Sequence, residues 1–167
     1  MLIILGGLPG TGKTTLSKAL ARRLDAFHLR IDTIEQAIRN SSMAPASMDE
    51  SGYLVAYAVA EDNLRLGKKV IADSVNPIAI TREAWLKVAQ RAAVAALEVE
   101  VICTDKNEHR RRVETRVSDI PGLRPPSWQD VLAREYIPWV SANVVADTAL
   151  ETIEQAATRI SSLLNSD

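Results

Sequence analysis

The sequence predicts an α/β protein in which helices cover both faces of a parallel β-sheet. Three observations predict this class. Five short apolar segments alternate with stretches of helical periodicity, the first segment runs straight into a glycine-rich loop, and an amphipathic helix begins inside that loop. At 167 residues the chain is also the size of one ordinary domain. We therefore expect a single domain over residues 1–167.

The predicted elements follow one another without a linker or an internal repeat. Buried strands are predicted from the apolar runs 2–5, 27–31, 69–72, 97–103 and 144–146. Helices are predicted at 13–24, 32–39, 52–66, 77–91, 106–116, 128–136 and 150–164. Segment 40–49, rich in Ser, Met and Pro, is predicted to be a loop. Strands that alternate with helices are typical of a parallel sheet.

Composition excludes several functional classes. Lys and Arg number 20 against 21 Asp and Glu, so the net charge of −1 provides no field to hold a nucleic-acid polymer. The single cysteine, Cys103, excludes a disulfide framework and is expected to be a buried strand thiol. No secretory signal is evident, and no stretch approaches the roughly 18 apolar residues of a membrane span. We expect a soluble cytoplasmic protein, either a monomer or a homodimer, with no membrane partner.

The glycine-rich loop carries the clearest functional signal. Residues 7–14, Gly-Leu-Pro-Gly-Thr-Gly-Lys-Thr, fit the P-loop pattern of two glycines separated by four residues and followed by Lys and Thr. Such a loop turns backbone N–H groups toward phosphate oxygens at the N-terminus of the next helix. A glycine-rich turn that merely joins strand to helix is the alternative, but the flanking strand and helix supply the context that the motif requires. We expect ATP to be bound by Gly7, Leu8, Pro9, Gly10, Thr11, Gly12, Lys13, Thr14 and Thr15.

Within the P-loop class, the sequence disfavours a guanine-specific switch. Such proteins carry an Asn-Lys-x-Asp motif, and this chain has no Asn-Lys pair. Two Asp-x-x-Gly matches, 49–52 and 119–122, do not follow the third strand and are interpreted as chance. Phosphoryl transfer from ATP to an alcohol is the remaining prediction.

Two aspartates are the candidate acids for that reaction. Asp32 lies where the second strand ends, the edge at which parallel sheets present ligands, and is the candidate general base. The alternative is that Asp32 is the N-cap of the following helix. Asp73 closes the third strand and is expected to hold Mg²⁺ together with the Thr14 hydroxyl, or to orient the acceptor. An ordinary turn residue is the alternative for Asp73.

Two arginines and a proline-rich segment are expected to complete the site. Arg112 and Arg116 are four residues apart on a predicted helix, where like charges repel unless an anion lies between them. A solvated face is the alternative, with Glu108 paired to Arg112 and Arg110 to Glu114. Arg116 is the candidate to stabilise the charge of the transferred phosphoryl group. Residues 117–127 are predicted to form a lid that excludes water, and its Arg124 is a weaker candidate.

The chain resembles the P-loop kinases of the AAA_33 type, akin to chloramphenicol phosphotransferase, gluconate kinase, zeta toxins and the kinase domain of polynucleotide kinase. The segments that carry the resemblance are 7–15, 29–32 and 70–76, together with Arg82, Trp85, Arg112 and Arg116. The resemblance implies a five-stranded parallel sheet in the order 2-3-1-4-5 with a lid. It also implies that Asp32 is the acceptor base, that Asp73 lies on the acceptor or metal side, that Arg112 stacks on adenine and that Arg116 reaches the phosphates.

The acceptor is less well defined. Arg30, Glu35 and Asn76 are the candidate acceptor contacts, with segment 40–49 beside them. Polynucleotide kinases have an arginine three residues past the base, where this chain has Glu35, which disfavours a phosphorylated polynucleotide. The leading hypothesis is an ATP-dependent, Mg²⁺-dependent kinase of a small hydroxyl compound. The alternatives are a nucleotide-binding switch or slow ATPase that acts through a partner, and a nucleoside or polynucleotide 5′-kinase.

Overall fold

The computed structural model describes residues 1–42 and 50–164. The strands in these residues are β1 Leu2–Gly6, β2 Phe27–Arg30, β3 Val70–Asp73, β4 Ala96–Ile102 and β5 Val144–Asp147. The helices are α1 Lys13–Leu24, α2 Ile31–Arg39, α3 Ser51–Arg65, α4 Ala79–Arg91, α5 Lys106–Thr115, α6 Trp128–Ala133 and α7 Ile153–Leu163. Most of the loop expected at 40–49 lies outside the described residues.

The five strands form a parallel sheet in the order β2-β3-β1-β4-β5. This confirms both the predicted fold class and the order that the resemblance implied. In the register, Asp73 pairs with Leu5 on one side and with Arg30 on the other. The carboxyl ends of β1, β2 and β3 therefore meet at one edge, directly beside the loop that follows β1.

The two faces of the sheet bury separate apolar cores because side chains alternate along each strand. On one face Leu2 and Ile4 pack with residues of α3 and α4, including the fully buried Trp85. On the other face Ile3 and Leu5 pack with residues of α1 and α7. Each buried Leu or Ile contributes roughly 1.5–3 kcal/mol. β1 is thereby fixed from both sides, and the loop that follows it starts from a rigid position.

The helix predicted over 128–136 is wrong in its last three residues, since α6 ends at Ala133. The residues that follow are held by long-range contacts. The Tyr136 hydroxyl donates to the buried Glu100 carboxylate at 2.7 Å, and Trp139 N–H donates to the same oxygen at 3.3 Å. The buried Arg82 guanidinium lies 4.8 Å from the centre of the Trp139 ring. These buried polar contacts override the local helical pattern.

Trp139 also contacts the end of β1. A Cβ atom built on Gly6 would lie 2.0 Å from Cζ2 of the indole ring. No larger residue fits at this position while the indole is in place. The last residue of β1 is therefore packed beneath an aromatic ring immediately before the glycine-rich loop.

The remaining differences from the predicted elements are small. α7 begins at Ile153 rather than at residue 150, because Thr152 forms a capping box with Gln155. Cys103 is buried, as expected, but follows the last residue of β4. Across 1–42 and 50–164, none of the helices combines the length and apolar character that crossing a bilayer would require. The predicted single-domain organisation stays a prediction.

Candidate active site

The glycine-rich loop is folded tightly against the elements around it. Gly7 and Gly10 have φ angles of 141° and 87°, which L side chains rarely adopt. A Cβ on Gly7 would lie 2.1 Å from the Val101 carbonyl oxygen, and one on Gly10 would lie 2.4 Å from Cγ2 of Val113. Gly12, also at positive φ, is the N-cap of α1. Both the turn and the close packing therefore require glycine.

Side chains from distant parts of the chain hold this loop in place. His109 Nε2 lies 2.8 Å from the Pro9 carbonyl oxygen, which can only accept, so this nitrogen carries the proton. The Thr148 hydroxyl donates to the Thr11 carbonyl at 2.7 Å, and the Thr11 hydroxyl donates to that of Leu8 at 2.9 Å. Sequence reasoning gave no role to His109 or Thr148. Neither carries a local signal for this contact, because the loop carbonyls that they bond are 100 and 137 residues away in sequence.

Lys13 and Asp73 lie together at the foot of the loop. Lys13 Nζ is 3.8 Å from Asp73 Oδ1, and Asp73 is only 2% exposed. His28 Nε2 contacts the other carboxylate oxygen at 3.1 Å. Burial by itself would raise the pKa of Asp73, but the His28 hydrogen bond, the Lys13 charge and the Thr14 hydroxyl together hold that pKa below its ordinary value. Asp73 therefore stays ionised beside the loop. Sequence reasoning also missed the contact of His28 with Asp73.

Asp32 lies inside α2, one residue after its start, and not at the N-cap. Arg30 is the N-cap residue, and its side chain makes no capping hydrogen bond. The alternative interpretation of Asp32 as an N-cap is therefore wrong, because β2 ends one residue earlier than predicted. The Asp32 side chain is 44% exposed, and Oδ2 lies 3.7 Å from Arg30 Nη2. Its carboxylate is accessible from solvent.

One cavity brings several predicted residues together. It has a volume of about 220 Å³ and is lined by Pro9, Lys13, Asp32, Glu35, Arg39, Val75, Arg116, Leu123, Arg124, Pro125, Pro126 and Arg134. The loop lysine, the candidate base and the candidate phosphoryl-binding arginine thus face the same space. Residues of segment 117–127 form part of its wall.

Glu35 adds a second acid to this cavity. It pairs with Arg39 at 3.3 Å across one turn of α2. Burial and the nearby Asp32 charge raise the pKa of Glu35, although Arg39 opposes the shift. The cavity therefore combines acidic and basic groups close to the candidate base.

The other two predicted acceptor residues lie elsewhere. Asn76 is fully buried at φ 47°, and its Nδ2 donates to the Leu5 carbonyl at 2.9 Å. The main-chain carbonyl oxygen of Asn76 accepts from Arg82 Nε at 2.9 Å. The side chain therefore secures the turn after β3, and its predicted acceptor contact stays a prediction. Arg30 is also buried but lines a different cavity.

That larger cavity, of about 570 Å³, lies along α1 and the end of α5. It is lined by Gly10, Gly12, Lys13, Thr14, Thr15, Lys18, Arg22, Arg30, Arg111, Arg112, Thr115, Arg116, Val117 and Asp119. Most of its charged residues are cations. A space with this lining suits a chain of phosphates beside the glycine-rich loop.

Arg112 and Arg116, although four residues apart, differ in their hydrogen bonding. Arg112 donates to Glu108 at 2.8 Å, to the Thr148 hydroxyl at 2.7 Å and to the Thr148 carbonyl at 3.1 Å. Arg116 is the C-cap residue of α5, with extended dihedrals, so the predicted helix ends one residue early, and both arginines line the cavity of about 570 Å³. Within the described part of the chain no hydrogen bond or ion pair involves Arg116.

The expected solvated pairs are present on α5. Arg110 donates to Glu114 at 2.8 Å, and Glu108 accepts from Arg112. Glu108 also accepts two hydrogen bonds from Arg111. Hydrogen bonds from Arg111 and Arg112 lower the pKa of Glu108 to about 2.

A third cavity, which sequence reasoning missed, adjoins the loop on the β5 side. It has a volume of about 520 Å³ and is lined by Gly12, Thr15, Arg112, Thr148, Ala149, Leu150, Glu151, Thr152, Ile153 and Gln155. Segment 148–155 carries no recognised motif. Gly12, Thr15 and Arg112 line both this cavity and the larger one.

Segment 117–127 crosses from α5 to α2. The Asp119 carboxylate pairs with Lys18 at 2.5 Å and with Arg30 at 2.8 Å. Hydrogen bonds from Lys18 and Arg30 hold the pKa of Asp119 well below its ordinary value. A Cβ on Gly122 would lie 3.2 Å from Nε2 of Gln36 in α2. The segment thus contacts α1, β2 and α2, and its function as a lid stays a prediction.

The residues at the foot of the loop fit a magnesium ion that is shared with phosphates. Thr14 provides a hydroxyl and Asp73 an ionised carboxylate. The residues that the structure describes contain no group of three or more His, Cys, Asp or Glu side chains suited to a metal. Mg²⁺ is typically bound by one or two protein ligands together with substrate phosphates and water. The donor set agrees with that mode of binding.

The sheet order and the glycine-rich loop place the chain in the P-loop NTPase fold class. The profile of the AAA_33 family, described as AAA domain, matches residues 2–122. The chain therefore belongs to the AAA_33 family. No curated protein matches the chain significantly.

Solved structures share the fold over nearly the whole chain. A candidate kinase from Chloroflexus aurantiacus J-10-fl is 22% identical, with a TM-score of 0.74 and coverage of 99% of this chain and 96% of that one. Mycobacterium tuberculosis APS kinase CysC, in complex with AMPPNP and APS, is 17% identical, with a TM-score of 0.67 and coverage of 99% and 97%. Chaetomium thermophilum Kti12, in complex with ADP-AlF3, is 22% identical, with a TM-score of 0.69 and coverage of 97% and 98%.

Proposed function

We propose that this protein is an ATP-dependent kinase that transfers the terminal phosphoryl group to a hydroxyl of a small-molecule acceptor. The observation that carries the proposal is the cavity of about 220 Å³ that Lys13, Asp32 and Arg116 line together. Two solved chains of the same fold hold AMPPNP or ADP-AlF3, which supports the choice of an adenine nucleotide.

On the nucleotide side, the proposal assigns phosphate binding to residues 7–15. Their backbone N–H groups lie at the N-terminus of α1, where an anion is favoured, and Lys13 adds a positive charge. Thr14 and Asp73 would hold Mg²⁺, which on binding neutralises part of the phosphate charge. Arg112, fixed by Thr148, borders the cavity of about 520 Å³ in which the adenine would lie.

On the acceptor side, Asp32 is the proposed general base. Its accessible carboxylate takes the hydroxyl proton as the acceptor oxygen attacks the γ-phosphorus atom of ATP and the bond from that phosphorus to ADP breaks. Arg116 stabilises the charge that spreads over the transferred group, for which a planar guanidinium with no described partner is suited. Arg30 and Glu35 are the proposed acceptor contacts.

The test is a screen of alcohols for acceptor-dependent release of ADP, repeated with Asp32→Asn. General-base catalysis contributes roughly 10²–10⁴-fold, so we expect a loss of transfer in that range with unchanged AMPPNP affinity. Asp25→Asn, at the C-cap of α1, is the matched control and should keep full activity.

Two results would redirect the proposal. If ATP turnover without an acceptor persists in Asp32→Asn, a nucleotide-binding switch or slow ATPase is favoured. If acceptor binding falls steeply with salt, a polynucleotide end is favoured.

A further inference from the structure

Arg30 has a buried guanidinium whose hydrogen bonding is incomplete. Its side chain is 5% exposed, and its Nε and Nη2 atoms have no hydrogen-bond partner among the described residues. A guanidinium offers five N–H donors, and an unpaired buried donor of a charged group is unfavourable. The position therefore favours an anion with several acceptor atoms.

In the structure, the carboxylate of Asp119 occupies part of the position that such an anion would take. One of its oxygens accepts from Arg30 Nη1 at 2.8 Å and the other from Lys18 Nζ at 2.5 Å. The two cations come from β2 and α1, whereas Asp119 comes from the segment that crosses above them. The carboxylate thus bridges two charges, as an oxyanion of a ligand would.

These two cations lie next to the proposed chemistry but beyond the phosphate loop. Lys18 is one helical turn after Thr14, on the same face of α1, and both line the cavity of about 570 Å³. Arg30 Nη2 is 3.7 Å from Asp32 Oδ2. An anion held by Lys18 and Arg30 would therefore lie close to the carboxylate proposed to activate the acceptor hydroxyl.

We propose that Lys18 and Arg30 form a subsite for an acid group of the acceptor, and that Asp119 competes for this subsite. The acid group is an oxyanion, that is, a phosphate, sulfate or carboxylate. The inference rests on the proposed kinase function and narrows its substrate class to compact alcohols that carry such a group. Glu35 lines the other cavity with Asp32, so the acid group is directed toward Arg30 and away from Glu35.

The test uses the full chain saturated with AMPPNP and Mg²⁺, so that the nucleotide site is filled. Inorganic phosphate, sulfate and acetate are titrated calorimetrically into the wild type and into three variants. Asp119→Asn removes the competing carboxylate and should tighten anion binding on the order of tenfold, the change expected for one charge-assisted hydrogen bond. Lys18→Met should weaken it by a similar factor.

The third variant, Lys87→Met, removes an exposed lysine of α4 far from the site and should bind the anions as the wild type does. Lys18 is 40% exposed, so its substitution tests the subsite without the folding risk that the buried Arg30 carries. Anion affinities unchanged in both Asp119→Asn and Lys18→Met would overturn the proposal. Affinities for AMPPNP that fall in parallel with those for the anions would also overturn it, because the cations would then serve the nucleotide.

The two proposals can fail separately. If the chain does not bind AMPPNP, the kinase proposal fails, and the same titrations without nucleotide still measure the subsite through Asp119→Asn. If the nucleotide binds but none of the three anions does, the kinase proposal stands and the subsite does not.

Discussion

The glycine-rich loop and segment 117–127 line the same cavity but are held in different ways. The loop is fixed by the close packing of Gly10 against Val113. It is also fixed by hydrogen bonds from other parts of the chain to its carbonyl groups. The segment is held to α1 and β2 through Asp119, whose side chain is 50% exposed. The exposed pair of Asp119 with Lys18 contributes only about 0–1 kcal/mol, whereas overpacking a tight contact such as that of Gly10 costs typically 1–3 kcal/mol. The glycine-rich loop is thus held mainly by packing, whereas segment 117–127 is held by ion pairs of Asp119, which under the proposal above an anion would replace.

The largest expected effect is on the rate of ATP turnover, and it tests whether the glycine-rich loop is the site of the reaction. Lys13→Ala should reduce ATP turnover by roughly a thousandfold or more, because positioning and charge stabilisation carry most of phosphoryl-transfer catalysis. Steady-state release of ADP measures the loss, with Lys87→Ala as the control. Wild-type turnover in Lys13→Ala would mean that the loop is not where the reaction occurs.

The next effect compares two glycines that have similar positive φ angles but different packing. Gly10→Ala and Gly67→Ala both place a side chain at positive φ, which costs roughly 1–2 kcal/mol. Nothing lies within 4 Å of a Cβ on Gly67, whereas Gly10 also meets Val113. We expect Gly10→Ala to lower the free energy of unfolding by about 1–3 kcal/mol more than Gly67→Ala does, as measured in urea. Equal losses would show that the loop is not tightly packed.

The smallest effect concerns Asp73, which lies between the two regions. Its pKa is lower in the folded chain than its ordinary value. The stability that ionised Asp73 contributes is therefore fully present when the pH is above its ordinary, unfolded-state pKa. It is lost as the pH falls toward the lower pKa of the folded chain. Asp73→Asn should flatten the fall in unfolding free energy below about pH 4, the ordinary range of an aspartate pKa. Urea titrations from pH 3 to pH 6 test this, with the exposed Asp62→Asn as the control; a slope that matches the wild type would contradict it.

The sequence predicted the nucleotide side of the molecule well because its signals are local. Apolar residues 2–5, the glycine pattern and the leucine spacing of 13–24 are each complete within about ten residues, and α1 has the predicted bounds. The strand order could not be derived from these patterns. It followed from the resemblance and is confirmed by the pairing of β1 with β3 and β4.

The contacts around the loop and its cavities could not be predicted to the same depth because they join residues that are distant in sequence. Asp119 is 101 residues from Lys18, and His28 is 45 residues from Asp73. Tyr136 lies outside its predicted helix because its hydroxyl donates a hydrogen bond to Glu100 on a buried strand. Local periodicity contains no information about such partners. The roles proposed for Asp32, Arg116, Arg30 and Glu35 are still predictions for experiment to decide.

The contact between Gly6 and Trp139 has a consequence for sequence variation in the family. A side chain at the first position and an indole at the second cannot occupy the same space. Homologues with alanine or a larger residue in place of Gly6 should therefore carry a smaller residue in place of Trp139. An alignment in which the two positions vary independently would show that the segment around Trp139 packs elsewhere in those relatives. Where the two positions do vary together, they sort the relatives by the side chain that packs against the end of β1.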